Sequence, residues 1–437
     1  MQRRLLVIPG IGGPTPHLIV RSVGDLASVQ WIHYAEDLYD TDRDIPAMTT
    51  ARDLPLMRAT GEVMSVESDD ELFDAAVARH KRSPLDGVLT FSESAVTVAA
   101  RIAEVLGLRH NSPATARLLT NKHRQRAALD AAGVPVPAYT PIRTSADVAA
   151  AAKKIGFPSV LKPVQGGGSM LTTLVESAQQ LDVAASAAFA TLETTASLRG
   201  KARLLRGAES PYLLLEALLP GHAWRDDPRY GDYVSVESAV YDGEVRHLSV
   251  SDKAPLSGGF RENASFAPST LPADRLRQLY DMTTAALRAL GVTHGITHTE
   301  LKLTAEVPRI IEVNGRLGGG VWRMLELAAG YDVIAEAAHA ALGLRPMEPV
   351  RFTRHAGFLT PALDARLSGR AIDVAIDPTF TERGGVHEFL DARVSTFDVA
   401  FGGGIAALAV VTGDTAEEVL DHARALSDAI TIETIHQ

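Results

Sequence analysis

The chain of 437 residues contains no cysteine. This absence excludes disulfide bonds, thiol nucleophiles and thiolate metal sites, and it fits a reducing compartment such as the cytoplasm. No run of residues is long and apolar enough to span a membrane, and the apolar run after Met1 stops at Pro9-Gly10, too short for a secretory signal. The net charge of −10 creates no overall basic field. We therefore expect neither a membrane nor a nucleic acid as partner.

The length predicts two to four domains, and the first hundred residues follow an α/β pattern. Short apolar segments predict strands at 5–8, 31–34 and 86–91, and amphipathic segments predict helices at 71–81 and 95–106. Alternating strands and helices indicate a parallel sheet with helices on its faces. The glycine-rich turn after the first strand lacks the last glycine of a dinucleotide-binding motif, because Thr15 stands in its place. It is therefore either a tight strand-to-helix turn or a ligand loop.

A second glycine-rich loop lies between two predicted strands. The first strand, Ser159–Val164, carries Lys162 among apolar residues, the loop follows at Gln165–Met170, and Leu171–Glu176 is the returning strand. Backbone N–H groups of such a loop can bind phosphate. The loop is not a Walker A motif, which requires Gly-Lys-Ser/Thr at the start of a helix. A plain flexible hairpin explains the pattern as well.

Two glutamates are expected to face each other across a later hairpin. The segments 298–303 and 309–316 both alternate polar and apolar residues, as half-buried strands do. If the hairpin closes over 305–307, Glu300 lies directly opposite Glu312. Like charges in that position destabilise a sheet unless something neutralises them. Carboxylate and amide oxygens are the ligands that Mg²⁺ takes, so a metal site is one interpretation, and two solvated surface carboxylates are the other.

The order and spacing of these features resemble those of the ATP-grasp carboxylate–amine ligases, over roughly residues 1 to 345. The resemblance implies an α/β and α+β architecture, with a Rossmann-like N-terminal domain, a two-lobed ATP-grasp domain and a small C-terminal lobe. The expected units are the Rossmann-like domain at 1–115, the small lobe with the glycine loop at 116–215, the large lobe with the magnesium site at 216–350 and the accessory lobe at 351–437.

The resemblance also assigns roles to individual residues. It implies that phosphate and nucleotide are bound by Lys122, Lys162, Gly166, Gly167, Gly168, Ser169, Glu216, Ala217, Leu218 and Glu237. The implied magnesium ligands are Glu300, Glu312 and Asn314, and Arg316 is the implied catalytic arginine that steadies the acyl phosphate. His298 is a candidate base for the amine, with structural support of a glutamate as its alternative role.

Within the superfamily, the closest resemblance is to L-amino-acid ligases that form dipeptides. It rests on the segments 298–303, 233–237 and 251–253, and on the charged insert 222–231. One departure is that Asn314 is kept, as in carboxylase-type and purine-pathway relatives. A ligase that acts on a different carboxylate is therefore an alternative interpretation.

The resemblance implies an enzyme that uses ATP and two Mg²⁺ ions, with Mn²⁺ as a substitute, to form an amide bond through an acyl phosphate. The implied partners are small carboxylates and amines, amino acids among them, and a homodimer is an option. One alternative is a carboxylase-like enzyme that uses carboxyphosphate, although no Met-Lys-Met biotin-carrier motif is present. The other alternative is a non-catalytic nucleotide-binding protein.

Overall fold

A computed structural model of the chain describes residues 2–10, 12–35, 53–194, 205, 212–391, 394–397 and 404–435. Among the helices of these residues, none is long and apolar enough to cross a membrane.

The N-terminal residues form a parallel sheet flanked by helices, as the alternating pattern predicts. Its strands lie in the order β3-β2-β1-β4 and all their pairings are parallel. Helix α3 begins after Ser68, whose side chain accepts a hydrogen bond from Glu71 N, and α4 ends at Gly107, which has the left-handed φ of 67°. The elements are β1 (Arg3–Ile8), α1 (Pro16–Val23), β2 (Ala27–Tyr34), α2 (Leu54–Thr60), β3 (Val63–Val66), α3 (Asp69–Arg82), β4 (Gly87–Thr90) and α4 (Val96–Leu106).

The next elements form a four-stranded antiparallel sheet with two helices packed on it. The strand order is β5-β8-β6-β7, and the glycine loop joins β6 to β7. The predicted returning strand 171–176 is shorter than expected, because Ser169 and Leu171 adopt positive φ angles and keep the chain out of the sheet. The elements are α5 (Pro113–Thr120), α6 (Lys122–Ala131), β5 (Tyr139–Ile142), α7 (Val148–Ile155), β6 (Ser159–Pro163), β7 (Thr173–Val175), α8 (Ala178–Thr194) and β8 (Leu213–Ala217).

A long antiparallel sheet includes the hairpin formed by residues 233–253. The Asp242-Gly243 turn has positive φ at both residues, 49° and 85°, as a type I′ turn requires. The elements of this region are β9 (Tyr233–Tyr241), β10 (Glu244–Lys253), β11 (Ala264–Ala267), α9 (Ala273–Ala289), β12 (Gly295–Lys302), β13 (Arg309–Asn314), α10 (Val321–Ala329) and α11 (Val333–Leu342).

Three strands of the C-terminal segment, residues 351–437, extend that same sheet. The complete order is β13-β12-β9-β10-β11-β14-β17-β16, while β15 and β18 pair with each other. The predicted divisions at 115, 215 and 350 stay predictions, and the large sheet continues across the last of them. The C-terminal elements are β14 (His355–Leu359), β15 (Ile372–Ile376), β16 (Val386–Asp391), β17 (Ala407–Gly413), α12 (Ala416–Ala429) and β18 (Ile430–Thr434).

One hydrophobic core joins the N-terminal sheet to α10 and α11, the helices that follow the β12–β13 hairpin. Leu5 and Trp31 from the parallel sheet are buried in the same cluster as Met324 of α10 and Ile334 of α11. Burial of large apolar side chains is the dominant stabilising contribution in folding. This core therefore fixes the end of β4 beside the segment that carries Arg316.

Candidate active site

A single cavity of about 530 Å³ lies where the N-terminal domain, the small sheet and the large sheet meet. Of the residues implied by the family resemblance, Glu237 and Asn314 do not line it. Those that do are Lys122, Lys162, Gly166, Gly167, Gly168, Ser169, Glu216, Ala217, Leu218, Glu300, Glu312 and Arg316.

The hairpin has the predicted register, with Glu300 directly opposite Glu312. The pairing slips by one residue immediately after Glu300, where a bulge separates it from Leu301. Bulges re-aim side chains at the edges of sites. Both carboxylates line the cavity, and the interpretation as two solvated surface residues is therefore wrong.

Lys122 connects the glycine loop to this pair of carboxylates. Its Nζ lies 2.8 Å from Glu312 Oε1 and donates a 2.7 Å hydrogen bond to the carbonyl oxygen of Gly166. The lysine is placed at the start of α6 by Asn121, whose side chain caps the helix by accepting from Arg124 N at 3.0 Å. A helix N-terminus pointing into a cavity favours anions there.

Lys162 lies in a buried cluster with Glu216 and Arg126. Lys162 Nζ is 2.6 Å from Glu216 Oε2, and Arg126 Nε is 2.7 Å from Glu216 Oε1. Burial opposes ionisation of Glu216, but the two cations outweigh it and hold its pKa at about 2. Burial lowers the pKa of Lys162. The side chain of Glu216 is therefore engaged with the protein's own cations rather than turned towards a ligand.

The segment 216–218, which the resemblance assigns to nucleotide binding, has backbone N–H groups that already donate to residues beside the small sheet's strands. Ala217 N donates to Ala138 O at 2.8 Å, and Leu218 N donates to Pro158 O at 3.2 Å. Val160 and Leu218 line the cavity here and present apolar surface. These apolar side chains are suited to pack against the flat ring of a nucleotide base.

The glycine loop reaches across the cavity to the residues that precede β11. Ser169 Oγ donates a 2.8 Å hydrogen bond to the carbonyl oxygen of Phe260. Gly166 and Gly168 have φ angles of 117° and 64°, which residues with a side chain rarely adopt. The glycines therefore permit the conformation in which the loop covers the cavity.

His298 connects two carboxylates, only one of which faces the cavity. Its Nδ1 forms a hydrogen bond with the fully buried Glu237, and its Nε2 lies 3.4 Å from Glu300 Oε1. Burial lowers the pKa of His298, but Glu237 and Glu300 reverse that effect and raise it to about 9. Burial likewise disfavours the Glu300 carboxylate, but His298, Lys253 and Arg316 hold its pKa at about 2. Glu237 thus acts on the cavity through His298.

Arg316 lies beyond the end of its strand, because β13 stops at Asn314. Its Nε is 3.1 Å from Glu93 Oε2, and its guanidinium also donates to the carbonyl oxygen of Leu317 at 3.1 Å. Burial raises the pKa of Glu93, an effect that Arg316 opposes. The arginine is thus held at the cavity by a carboxylate of the N-terminal domain.

Sequence reasoning missed Glu93 and Arg126. A signal for Glu93 existed, since it lies three residues after the end of β4 and ligands bind at the carboxyl ends of parallel strands. No signal marked Arg126, because its partners Glu216 and the carbonyl of Ile311 are distant in sequence.

The donors around the cavity suit a hard cation. Glu300 and Glu312 face each other at the cavity, whereas Asn314, two residues further along the same strand and opposite His298, is buried and does not line the cavity. Mg²⁺ is bound by one or two carboxylates together with substrate phosphates and water, so two facing carboxylates fit it. Over the described ranges, no group of three or more His, Cys, Asp or Glu side chains is arranged as a self-sufficient metal site.

Known proteins share parts of the sequence and the fold of this chain. The family model for the ATP-grasp N-terminal domain matches residues 44–110 of this chain. The structure superposes on an L-amino acid ligase from Bacillus licheniformis with a TM-score of 0.77, covering 100% of this chain and 99% of that one at 22% identity. The chain has the ATP-grasp fold. An N5-carboxyaminoimidazole ribonucleotide synthetase from Thermotoga maritima shares the ATP-grasp fold at a TM-score of 0.64 and 14% identity, over 99% of each chain.

The relatives of this chain in sequence include a synthase and a ligase. Human carnosine synthase 1 is 28% identical over 371 residues, which is 80% of this chain and 41% of that protein. The alanine–anticapsin ligase of Bacillus subtilis is 29% identical over 259 residues, which is 59% of this chain and 53% of that protein. The chain thus spans about half the length of these relatives.

Proposed function

We propose that this ATP-grasp protein is an ATP-dependent ligase that joins the carboxylate of one amino acid, or amino-acid-like small molecule, to the amine of another. The products would be an amide, ADP and phosphate. The observation that carries the proposal is the convergence of two lysines, a glycine loop, two facing carboxylates and an arginine on one cavity. The names of the sequence relatives support the same chemistry.

The lysines and the glycine loop would bind the phosphates of ATP. Lys122 and Lys162 enter the cavity from α6 and β6, and both side chains are at least four-fifths buried. A charge in an enclosed site is poorly screened by salt, so each lysine can neutralise a phosphate strongly. Apolar residues such as Val160 and Leu218 would pack against the base of the nucleotide.

Glu300 and Glu312 would hold Mg²⁺, while Asn314, which does not line the cavity, stays a predicted ligand. When bound, the ion would neutralise the β- and γ-phosphates and polarise the phosphoryl group for transfer. The number of ions and the use of Mn²⁺ stay predictions, as do a homodimer and a cytoplasmic location.

Arg316 would act on the groups that react. A carboxylate oxygen of the first substrate attacks the γ-phosphorus and ADP leaves, which gives an acyl phosphate. The amine of the second substrate then adds to the acyl carbon, and phosphate departs. Charge develops on oxygen in both steps, and a planar guanidinium can bind an oxyanion in two places. The ion pair with Glu93 would fix the orientation of Arg316.

The geometry favours the supporting role of His298 over that of a base. Both ring nitrogens are engaged by carboxylates, Nδ1 by Glu237 and Nε2 by Glu300. A base must reach the proton that it removes with a free nitrogen. We infer that His298 orients Glu300, with the buried Glu237 behind it.

A carboxyphosphate-forming enzyme is the second candidate. It is favoured by the structural similarity to N5-carboxyaminoimidazole ribonucleotide synthetase and to a biotin carboxylase from Campylobacter jejuni, which has a TM-score of 0.65. Both readings predict the same nucleotide and metal residues. They differ in the first substrate, which is bicarbonate in one case and an organic carboxylate in the other.

A screen of amino-acid pairs for ATP-dependent phosphate release, with and without bicarbonate, tests the proposal. We expect release that requires two amino acids and is unaffected by bicarbonate, with an amide product detected by mass spectrometry. Release that depends on bicarbonate would favour the second candidate. No amide from any pair of amino acids would contradict the proposed function.

A further inference from the structure

The C-terminal segment contributes two side chains to the active-site cavity. Ala362 and Ile405 both line the cavity, and they pair with each other in an isolated antiparallel bridge. Backbone hydrogen bonds on either side hold this bridge: Leu363 N donates to Gly404 O at 2.7 Å, and Ala406 N donates to Pro361 O at 2.9 Å. The two side chains are therefore held on regular backbone structure.

The loop before β11 is fastened to this bridge by two polar side chains. Asn263 Oδ1 accepts from Ala362 N at 3.0 Å and from Ser257 Oγ at 3.0 Å. Arg261 donates to the carbonyl oxygens of Leu363 and Gly258, the latter at 3.0 Å. Hydrogen bonds to charged groups are among the stronger ones in proteins. The loop and the C-terminal segment thus form one continuous side of the cavity.

We call the four apolar residues that this arrangement turns towards the cavity the apolar wall: Leu256, Phe260, Ala362 and Ile405. All four are half-buried and retain exposed surface. The wall is attached to the large sheet, whereas Val160 and Leu218, which would seat the base, lie in or directly after strands of the small sheet. The apolar wall therefore belongs to a different sheet from the residues that would contact the base of the nucleotide.

Charged groups of both signs line the cavity together with the apolar wall. Glu262 lines the cavity and pairs with the buried Lys253, with 2.9 Å between Oε1 and Nζ, and Arg316 pairs with Glu93. An occupant with a positive charge, a negative charge and an apolar group would find a matching group for each on this surface. Free amino acids with apolar side chains have this combination.

We propose that the apolar wall receives the apolar side chain of an amino-acid substrate, and that residues 362 and 405 set the size that it accepts. This inference rests on the proposed function, since it names the substrate class of the same cavity. Alanine is the smallest side chain of the wall, so position 362 leaves the space that a larger residue would fill. A substrate side chain placed there loses its contact with water, which favours binding roughly in proportion to the apolar area buried.

The test compares binding of L-leucine and glycine to the whole chain, measured by calorimetry in the presence of Mg²⁺ and a non-hydrolysable ATP analogue. Ala362→Phe fills the space and should weaken L-leucine by about tenfold or more, while glycine changes by less than about threefold. Ile405→Asp should weaken L-leucine in the same selective way. Ala375→Val is the control, because Ala375 is exposed on β15 and does not line the cavity. Thermal unfolding and binding of the ATP analogue verify that each variant is folded.

Ala362→Val covers the case in which the phenylalanine variant does not fold, with a smaller effect in the same direction expected. Equal losses for both amino acids, no loss for either, or a wild-type protein that binds L-leucine no better than glycine would each overturn the inference. The proposed function fails separately, if no pair of amino acids yields an amide although L-leucine binds selectively.

Discussion

Lys122 and Glu312 form an ion pair across the candidate active site, with 2.8 Å between Nζ and Oε1. One belongs to the first turn of α6 and the other to β13, and Lys122 also donates to the carbonyl of Gly166. Without ligands, the lysine thus offsets the repulsion between Glu312 and the facing Glu300. A bound phosphate and a bound cation would offer each partner a new counter-charge.

Glu312→Ala should abolish turnover, because a carboxylate that would hold the metal at the phosphates is lost. The ion pair also changes the expectation for stability. Removing Glu312 relieves the repulsion with Glu300 but leaves the mostly buried Lys122 without its carboxylate, so the two effects on the free energy of unfolding oppose each other and the protein should stay folded. Phosphate release and denaturant unfolding are the measurements. Glu306→Ala, at the exposed tip of the same hairpin, is the control. Near-normal turnover at ordinary magnesium concentration would refute the role of Glu312.

Lys162→Ala should weaken ATP binding by about tenfold or more, since the ammonium lies in an enclosed site with little screening. Arg126 remains beside Glu216, so the buried carboxylate keeps one cation and the fold should persist. Titration with ATP measures the effect. Lys153→Ala removes an exposed lysine of α7 and should leave the dissociation constant unchanged. The same constant for both variants would make Lys162 a purely structural residue.

Arg316→Lys should leave ATP affinity within a few-fold of the wild type and lower turnover about a hundredfold, the scale of one lost transition-state donor. The lysine keeps the charge but loses the planar fork and the hydrogen bond from Nε to Glu93. Steady-state kinetics and direct ATP titration separate the two effects. If the variant lost ATP binding but kept turnover at saturation, Arg316 would be a nucleotide anchor.

Lowering the pH should destabilise the protein through His247. This histidine is stacked on Tyr280, and burial lowers its pKa from 6.5 to about 4. Between these two values the unfolded chain binds the proton more readily than the folded one does, so stability is lost as the pH falls from about 6.5 towards 4. The loss reaches about 3 kcal/mol at most.

Denaturant unfolding of the wild type and of His247→Gln between pH 7 and 4.5 measures this effect. The variant should show a shallower decline than the wild type, whatever its stability at pH 7. The exposed His17→Gln provides the control, with the slope of the wild type expected. Parallel slopes for the wild type and His247→Gln would show that His247 does not carry the effect.

Local patterns in the sequence were sufficient where neighbouring residues determine the structure. The helix predicted at 95–106 was found at Val96–Leu106, because its apolar face repeats with helical spacing and Gly107 ends it with a positive φ of 67°. The register of Glu300 and Glu312 also followed from alternation on both strands and a short connection.

Features that depend on residues distant in sequence were not predictable in this way. The ion pair between Arg316 and Glu93 joins positions 223 residues apart, and the bridge between Ala362 and Ile405 joins two loops. The contribution of the C-terminal segment to the cavity depends on strands that join the large sheet out of sequence order. Only the three-dimensional arrangement brings such residues together.

The measurement that tests the central claim most directly follows oxygen from the carboxylate to phosphate. The first amino acid would carry ¹⁸O in both carboxylate positions, and the phosphate released during amide formation would be analysed by mass spectrometry. Because an acyl phosphate forms through a carboxylate oxygen and later leaves as phosphate, the account predicts one ¹⁸O atom in each phosphate that accompanies an amide. Amide formation with phosphate that contains no ¹⁸O would contradict it.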